Sequence, residues 1–322
     1  MKKPLVILTR PLPNDWLTLL DDKVNLVIGD TTIGINSKNV EMALQDAAGV
    51  ICLLSDKLDE SVLAKAPKLR VVSIMAAGYD NVDVAACTAR KIPVGNTPGI
   101  MTNATADIAM GLLLSITRKI KKASADARNG LWQTWSPTGW LGSELDGKTI
   151  GILGMGKIGK AVAKRASAFG MKVIYYSRST VVEGDYYRSA NLEDLLGNSD
   201  VVSLHCPLTN ETMSLINAHS LKLMKRSAIL INTSRGKVVD QEALVEALKM
   251  GTIAGAALDV TDPEPLPASH PLFHLENCLI LPHIGSATVE TRKKMAEMAC
   301  INLLAGLAGQ KMPNVVDGSV YD

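Results

Sequence analysis

A strand, a glycine turn and a helix in direct succession constrain this chain more than any other feature. Thr149-Ile150-Gly151-Ile152-Leu153 reads as a buried strand, and Gly154-Met155-Gly156-Lys157-Ile158-Gly159 follows it at once. A helical pattern runs from Ala161 to Phe169, and Lys172 to Tyr176 reads as the next strand. In such a unit the first glycine permits a tight turn, the second lets backbone approach a pyrophosphate, and the third lets the helix pack on the strand. Phosphate then lies where unpaired amides and the positive helix end point outward. Glycines also serve ordinary turns, so the triplet alone says little. With its flanking elements it predicts nucleotide binding at Gly154, Gly156, Lys157, Ile158 and Gly159.

The end of the following strand bears on which nucleotide. An NAD-binding unit carries an acid about 20 residues past the glycines, where it accepts from the ribose 2′-hydroxyl. This chain reads Tyr176-Ser177-Arg178-Ser179-Thr180 there, with no acid before Glu183. A carboxylate repels a 2′-phosphate, whereas a guanidinium forks onto it and hydroxyls donate to it. Ser177, Arg178 and Ser179 therefore predict NADP(H). The alternative is a solvated arginine in a polar loop.

The 322 residues suffice for two domains with their own cores. At 47% hydrophobic and 20% charged the chain is that of a folded protein, and disorder throughout is excluded. A net charge of +2 without basic runs offers no footprint for nucleic acid or a membrane surface, and aromatics at 4% leave few stacking platforms. The apolar run from Leu5 to Thr9 is too short for a signal peptide and meets Arg10 and Asp15 directly, so it reads as a first buried strand. Cys52, Cys87, Cys206, Cys278 and Cys300 are odd in number and far apart, the pattern of free thiols in a reducing compartment. The expected location is the cytoplasm.

Short β-rich runs alternate with helical patterns. Residues 5–9, 25–28, 49–54, 70–75 and 92–95 form one series; those near 150 and over 173–176, 201–206, 228–233, 255–260 and 278–281 form another. Such alternation makes parallel sheets covered on both faces. The expected fold is α/β with two doubly wound parallel-sheet domains, a flavodoxin-like one and a Rossmann one. Residues 1–100 with 288–322 are assigned to the first and 101–287 to the second. A single long helix over Ala104–Lys122 links them, and Val289–Ala308 crosses back as the last helix.

Three turns follow strands of the second series, at the edge where open α/β sheets bind ligands. They are Ile231-Asn232-Thr233-Ser234-Arg235-Gly236, Asp262-Pro263-Glu264-Pro265 and Leu281-Pro282-His283-Ile284-Gly285-Ser286. Prolines and glycines fix backbone direction, which suits side chains that must be aimed. Taken singly, each has a plainer reading: an arginine capping a turn, a solvated glutamate, a satisfied buried histidine. His270 and His274 have metal-like spacing, but Pro271 intervenes and no further ligand lies near, so no metal is expected. His205 and Cys206 are adjacent on a strand and face opposite sides.

With these turns the chain resembles the D-isomer-specific 2-hydroxyacid dehydrogenase family over nearly its whole length. The match includes His205-Cys206-Pro207-Leu208-Thr209, the Arg235 turn, Ala257-Leu258-Asp259-Val260, the Glu264 turn and the His283 turn. Within the family it is most similar to glyoxylate/hydroxypyruvate reductases, through Trp132-Gln133-Thr134-Trp135, Trp140-Leu141-Gly142, the segment from Glu264 to Leu272, and Asn302 to Leu307.

The resemblance implies NADPH-dependent reduction of glyoxylate and hydroxypyruvate to glycolate and D-glycerate. His283 is then the general acid, Glu264 its partner at the other ring nitrogen, and Arg235 the grip on the substrate carboxylate. The first domain is then the substrate domain, where the amides of Ala77 and Gly78 in Met75-Ala76-Ala77-Gly78-Tyr79 receive that carboxylate; the alternative is a plain turn with Gly78 at positive φ. Ser286 lies at the substrate. Thr105, Pro207, Thr212, Thr233, Asp259 and Gly285 line the cofactor, Asp259 meeting the nicotinamide amide or else making a structural hydrogen bond. A homodimer is implied, in which Trp140 enters the partner's pocket; the alternative is that the tryptophans pack in a core. Two rivals remain. One is another 2-oxoacid reductase acting on 2-ketogluconate or hydroxyphenylpyruvate. The other is a nucleotide-sensing, corepressor-like binding protein on the same scaffold.

Overall fold

The computed structural model describes residues 2–178 and 186–322. Apolar runs without polar alternation must be covered on both faces, and a parallel sheet between helices does this. In the first unit, Met1–Met101 with Ala287–Asp322, the elements are β1 (Leu5–Leu8), β2 (Asn25–Ile28), α1 (Lys38–Ala43), β3 (Gly49–Cys52), α2 (Glu60–Ala64), β4 (Val71–Ile74), α3 (Val84–Ala89) and β5 (Val94–Gly95). All neighbours run parallel in the order β2-β1-β3-β4-β5, the flavodoxin-like order. Its switch point lies between β1 and β3. There the buried Asp56 accepts from Arg10 Nη1 at 2.6 Å and from the Leu53 and Ile35 amides at 2.9 and 3.2 Å, tying three loops together.

The second unit, Thr102–Ser286, opens with two helices, α4 (Thr102–Thr117) and α5 (Ile120–Arg128), where the sequence predicts one over 104–122. The break has a local cause. Ser143 N–H takes the Thr117 carbonyl at 3.0 Å, and Lys119 turns to φ 53°, so the helical ladder stops. Gly142 lets that loop approach, since a Cβ there would overlap the Thr117 carbonyl.

The unit continues with β6 (Thr149–Leu153), α6 (Lys157–Ala168), β7 (Lys172–Tyr176), β8 (Tyr187–Arg188), α7 (Leu192–Asn198), β9 (Val201–Leu204), α8 (Ala218–Leu223), β10 (Ile229–Asn232), α9 (Gln241–Lys249), β11 (Gly255–Leu258) and β12 (Cys278–Ile280). The sheet order is β12-β11-β10-β9-β6-β7-β8, all parallel, which is the doubly wound Rossmann order with one further strand. β8 has no counterpart among the predicted strands because both its residues are exposed and carry no apolar pattern. α4 packs on α6, β10 and β11, and its Ala106, Leu112 and Leu113 sit in a core with Ile150, Ile152 and Tyr175.

The chain then returns to the first unit as α10 (Val289–Leu307), which lies across β3 and β4. Gly306 brings the helix down on Val71, and the Ser73 hydroxyl donates to the Ala299 carbonyl at 2.9 Å. Past the helix, Val316 N–H donates to Val94 O at 2.8 Å, and Val315 bridges Gly95 antiparallel, covering the edge of β5. Among the described residues no helix is long and apolar enough to cross a membrane, and the five cysteines are free.

Candidate active site

Three helices of the second unit begin on side-chain caps. Asn191, Asn217 and Asp240 each accept from amides of the first turn of α7, α8 and α9, a device contributing about 1 kcal/mol. α6 is different: Gly156 is its N-cap and makes no side-chain cap bond. The amides at Lys157, Ile158 and Gly159 therefore lack the partner their neighbours have. The three glycines differ in what surrounds them. Gly154 has φ 94° and abuts the His205 carbonyl, so a Cβ would stand 2.8 Å from it. A Cβ at Gly159 would overlap the Gly154 carbonyl, whereas Gly156 faces open space. This turn lies at the switch point between β6 and β9, and an unfilled helix end beside an open glycine fits a pyrophosphate.

At the end of β7, Ser177 is half-buried and Arg178 is exposed. Ser179 lies outside the described residues. Arg188, on β8, donates from Nη2 to Ser177 O at 3.1 Å, placing a second guanidinium at this corner that sequence reasoning misses. A lone arginine in an exposed two-residue strand gives no sequence signal.

His205 directly follows β9 and lies between two hydroxyls, Ser203 Oγ 2.8 Å from Nε2 and Thr233 Oγ1 3.3 Å from Nδ1. Loss of solvent pulls its pKa down to about 3. The neutral ring is thus the native form. The unfolded chain binds a proton on this residue below about pH 6.5 that the folded chain refuses, so stability falls with acidification between those values. Expected slope from this group is about 1.4 kcal/mol per pH unit. Urea unfolding at pH 7 and pH 5 checks it: in His205→Gln the loss between the two should shrink by about 2 kcal/mol. An unchanged loss would assign the slope to other groups.

The three turns singled out above follow three neighbouring strands. Arg235 follows β10, Glu264 follows β11 and His283 follows β12, and neighbouring strands run about 4.8 Å apart. His283 Nδ1 lies 2.8 Å from Glu264 Oε2. Both groups are partly buried. Glu264 stands between cis peptides at Pro263 and Pro265, and its Oε1 accepts from Thr261 N–H at 2.9 Å, so both carboxylate oxygens are held. The Gln241 side chain clamps the same turn, donating to Asp262 O at 2.7 Å and accepting from Asp262 N–H at 3.1 Å.

Asn232 closes the Arg235 turn. Its Oδ1 accepts from Ser234 N–H at 2.9 Å and its Nδ2 donates to Arg235 O at 2.9 Å. Arg235 is half-buried, with Nη1 donating to Ser234 O at 2.9 Å. Gly236 next to it lies against the Thr261 carbonyl so closely that a Cβ would overlap it. The Arg235 and Glu264 turns thus touch backbone to backbone.

His283 itself has φ 54°, a conformation L residues avoid at a cost of about 1–3 kcal/mol. Asp259 holds it there. Its carboxylate is buried and accepts from Ile284 and Gly285 amides at 2.7 and 2.8 Å, while its carbonyl accepts from His283 N–H at 2.9 Å. Burial pushes the Asp259 pKa up, and the two amides oppose that shift. The structural hydrogen bond raised as an alternative for Asp259 is therefore real. Thr105 converges on the same turn, its hydroxyl donating to Gly285 O at 3.2 Å. Ser286 is half-buried at the end of that turn. Pro207 is exposed, and Thr212 closes its loop by donating to Pro207 O at 2.6 Å.

Other candidates sort differently. Gly78 is not among the residues with positive φ, so the positive φ expected of it in a plain turn is absent. Trp132 and Trp135 are 65% and 80% exposed and join no hydrophobic core among the described residues, so the packing alternative does not hold for these two. Trp140 has φ 50° and its indole donates to Asp126 at 2.8 Å. His270 accepts from Leu272 N–H and contacts the Gln241 amide. Among the described residues no group of three or more His, Cys, Asp or Glu is arranged to hold a metal.

Comparison with known proteins adds to this geometry. The profile of the D-isomer specific 2-hydroxyacid dehydrogenase NAD binding domain matches residues 110–285. The chain belongs to the D-isomer specific 2-hydroxyacid dehydrogenase family. A glyoxylate reductase of Thermofilum pendens is 44% identical, covering 99% of this chain and 96% of its own. A solved structure from Thermus thermophilus matches with a TM-score of 0.92 at 46% identity, covering 97% and 100% of the two chains. An NADPH-dependent glyoxylate/hydroxypyruvate reductase of Sinorhizobium meliloti, solved with NADP and malonate, gives 0.86 at 31% identity over 99% and 98%.

Proposed function

We propose that this chain is an NADPH-dependent reductase of glyoxylate and hydroxypyruvate, yielding glycolate and D-glycerate. The observation that carries the reading is the Glu264–His283 pair, 2.8 Å apart, set one strand from Arg235 in the sheet that bears the uncapped glycine turn. In the reading, Gly154, Gly156 and the amides of Lys157, Ile158 and Gly159 hold the pyrophosphate. Thr105, Pro207, Thr212, Thr233, Asp259 and Gly285 lie along the rest of the nucleotide. The bound nicotinamide supplies hydride.

His283 Nδ1 is engaged by Glu264, which leaves Nε2 to hand a proton to the substrate oxygen. Glu264 fixes the orientation and tautomer of the ring by holding its far nitrogen. Arg235 forks onto the substrate carboxylate and polarises the neighbouring carbonyl, a geometry lysine cannot copy. The Ala77 and Gly78 amides are assigned as further donors to the carboxylate, and Ser286 borders the substrate. The exposed Trp132 and Trp135 support a homodimer in which this loop delivers Trp140 to the partner's pocket. Free thiols throughout suit the cytoplasm.

Steady-state kinetics with both nucleotides and a panel of 2-oxoacids tests the proposal, larger oxoacids separating it from 2-ketogluconate and hydroxyphenylpyruvate reduction. Ser177 and Arg178 are assigned to the 2′-phosphate. Charged hydrogen bonds contribute about 1.5–3 kcal/mol, so Arg178→Ala should lower the NADPH-over-NADH preference roughly ten- to a hundredfold. Equal use of both nucleotides by the unaltered protein would refute the cofactor assignment.

A further inference from the structure

We infer that Asn96 is a positioning residue for substrate: it aims the Ala77 and Gly78 amides at the substrate carboxylate without touching it. The inference rests on the carboxylate role proposed above for those amides.

The peptide plane decides where these amides point. In a trans peptide the carbonyl and the following N–H point in opposite directions. Among the described residues the cis bonds lie at Pro263 and Pro265, so those joining Ala76, Ala77 and Gly78 are trans. Asn96 Nδ2 donates to the Ala77 carbonyl at 2.6 Å, and Thr97 N–H donates to the Ala76 carbonyl at 2.8 Å. Both carbonyls are thus drawn to the segment after β5. The Ala77 and Gly78 N–H groups must then project the other way, side by side. Neither amide donates to another described residue, and both residues are half-buried. Two adjacent, parallel, unsatisfied amides form an anion-binding concavity.

Asn96 is itself held tightly enough to act as a stop. It is 8% exposed. Its amide donates to Asn314 O at 3.1 Å, and its carbonyl accepts from Asn302 Nδ2 at 2.9 Å. Asn302 is fully buried on α10 and its Oδ1 accepts from Asn314 N–H at 3.3 Å. The backbone of residue 96 is therefore pinned from both sides, and its carboxamide reaches Ala77 as a fixed donor. Thr97 precedes Pro98, which biases it toward extended backbone and so steadies the second donor. A donor is what the position requires. Aspartate has the same shape but only accepts when ionised, and it would face the Ala77 carbonyl oxygen.

The test uses the full-length protein with bound NADPH and two readouts: hydroxypyruvate kinetics, and the Kd of oxalate, a non-reacting dicarboxylate. Asn96→Ala should raise the oxoacid KM and the oxalate Kd together by about tenfold, with kcat within about threefold and the NADPH Kd unchanged. Asn96→Asp should raise both by about a hundredfold, since it adds repulsion to the lost donor. Should the alanine variant not fold, the isosteric aspartate carries the test alone. Lower thermal stability with unchanged KM and oxalate Kd would overturn the inference and leave Asn96 as a structural residue. If the unaltered protein reduces 2-oxoacids and depends on His283, that failure is of this inference alone. Absence of any 2-oxoacid turnover would sink it together with the proposed function.

Discussion

His283→Ala is expected to lower kcat/KM for hydroxypyruvate by about 10²–10⁴-fold while leaving the NADPH Kd within about twofold. The magnitude is that of losing a placed proton donor, and it is expected mainly in kcat because the ring acts as the carbonyl oxygen gains charge. Nucleotide affinity should survive because the glycine turn and the Ser177–Arg178 corner follow other strands, β6 and β7. Alanine tolerates φ 54° poorly, so His283→Asn is the companion variant: asparagine enters the left-handed region readily and keeps the turn without a ring that can donate as the imidazole does. Both variants should lose activity by about 10²–10⁴-fold and both should bind NADPH. Near-normal turnover in either would remove His283 from the reaction and with it the proposed mechanism.

Gly236→Ala is expected to cost at least about a hundredfold in kcat/KM and about 1–3 kcal/mol in stability, from the addition of one methyl group. Gly236 has no positive φ, so the effect does not come from backbone preference. It comes from the Thr261 carbonyl and the Asp262 amide, which occupy the space a Cβ needs. Neither atom belongs to a flexible side chain. The new methyl must push the Arg235 turn away from the Glu264 turn, and a displacement of about 1 Å at reacting groups commonly costs about 10²-fold. The expected signature is a raised oxoacid KM together with a lowered kcat, since both the carboxylate grip and the acid–partner pair shift. Urea unfolding separates the two losses. An alanine variant with normal kinetics would mean that the two turns are not mechanically joined.

Much of the fold and site is legible in the amino-acid sequence because the decisive signals are local. A strand, three glycines and a helix within residues 149 to 169 specify the turn, and two of the glycines meet distinct constraints in the fold: Gly154 against the His205 carbonyl and Gly159 against the Gly154 carbonyl. The strand series likewise comes from short apolar runs whose burial on both faces follows from having no polar side. What escapes a sequence reading depends on contacts across the chain. The split of the linking helix is set by Ser143, 26 positions beyond the Thr117 carbonyl it captures. β8 is two exposed residues that become a strand only by pairing with β7. The residues steadying the site, Gln241, Asn232 and Asn96, are ordinary polar residues in sequence, distinguished only by the backbone groups they reach. Asp259 has two readings in sequence, and only its surroundings reveal that both carboxylate oxygens hold the His283 turn.

The return of α10 to the first sheet has a consequence for biosynthesis. Thr102–Ser286 is continuous, so it can collapse as soon as it clears the ribosome, and the sheet order within it needs nothing made later. The other unit waits. Val71, Gly49 and Ser73 stay uncovered until Leu303, Gly306 and Ala299 have been translated. During that interval an apolar sheet face and the bare edge of β5 are open to other nascent chains, the period in which chaperone capture and translation speed should matter most for yield.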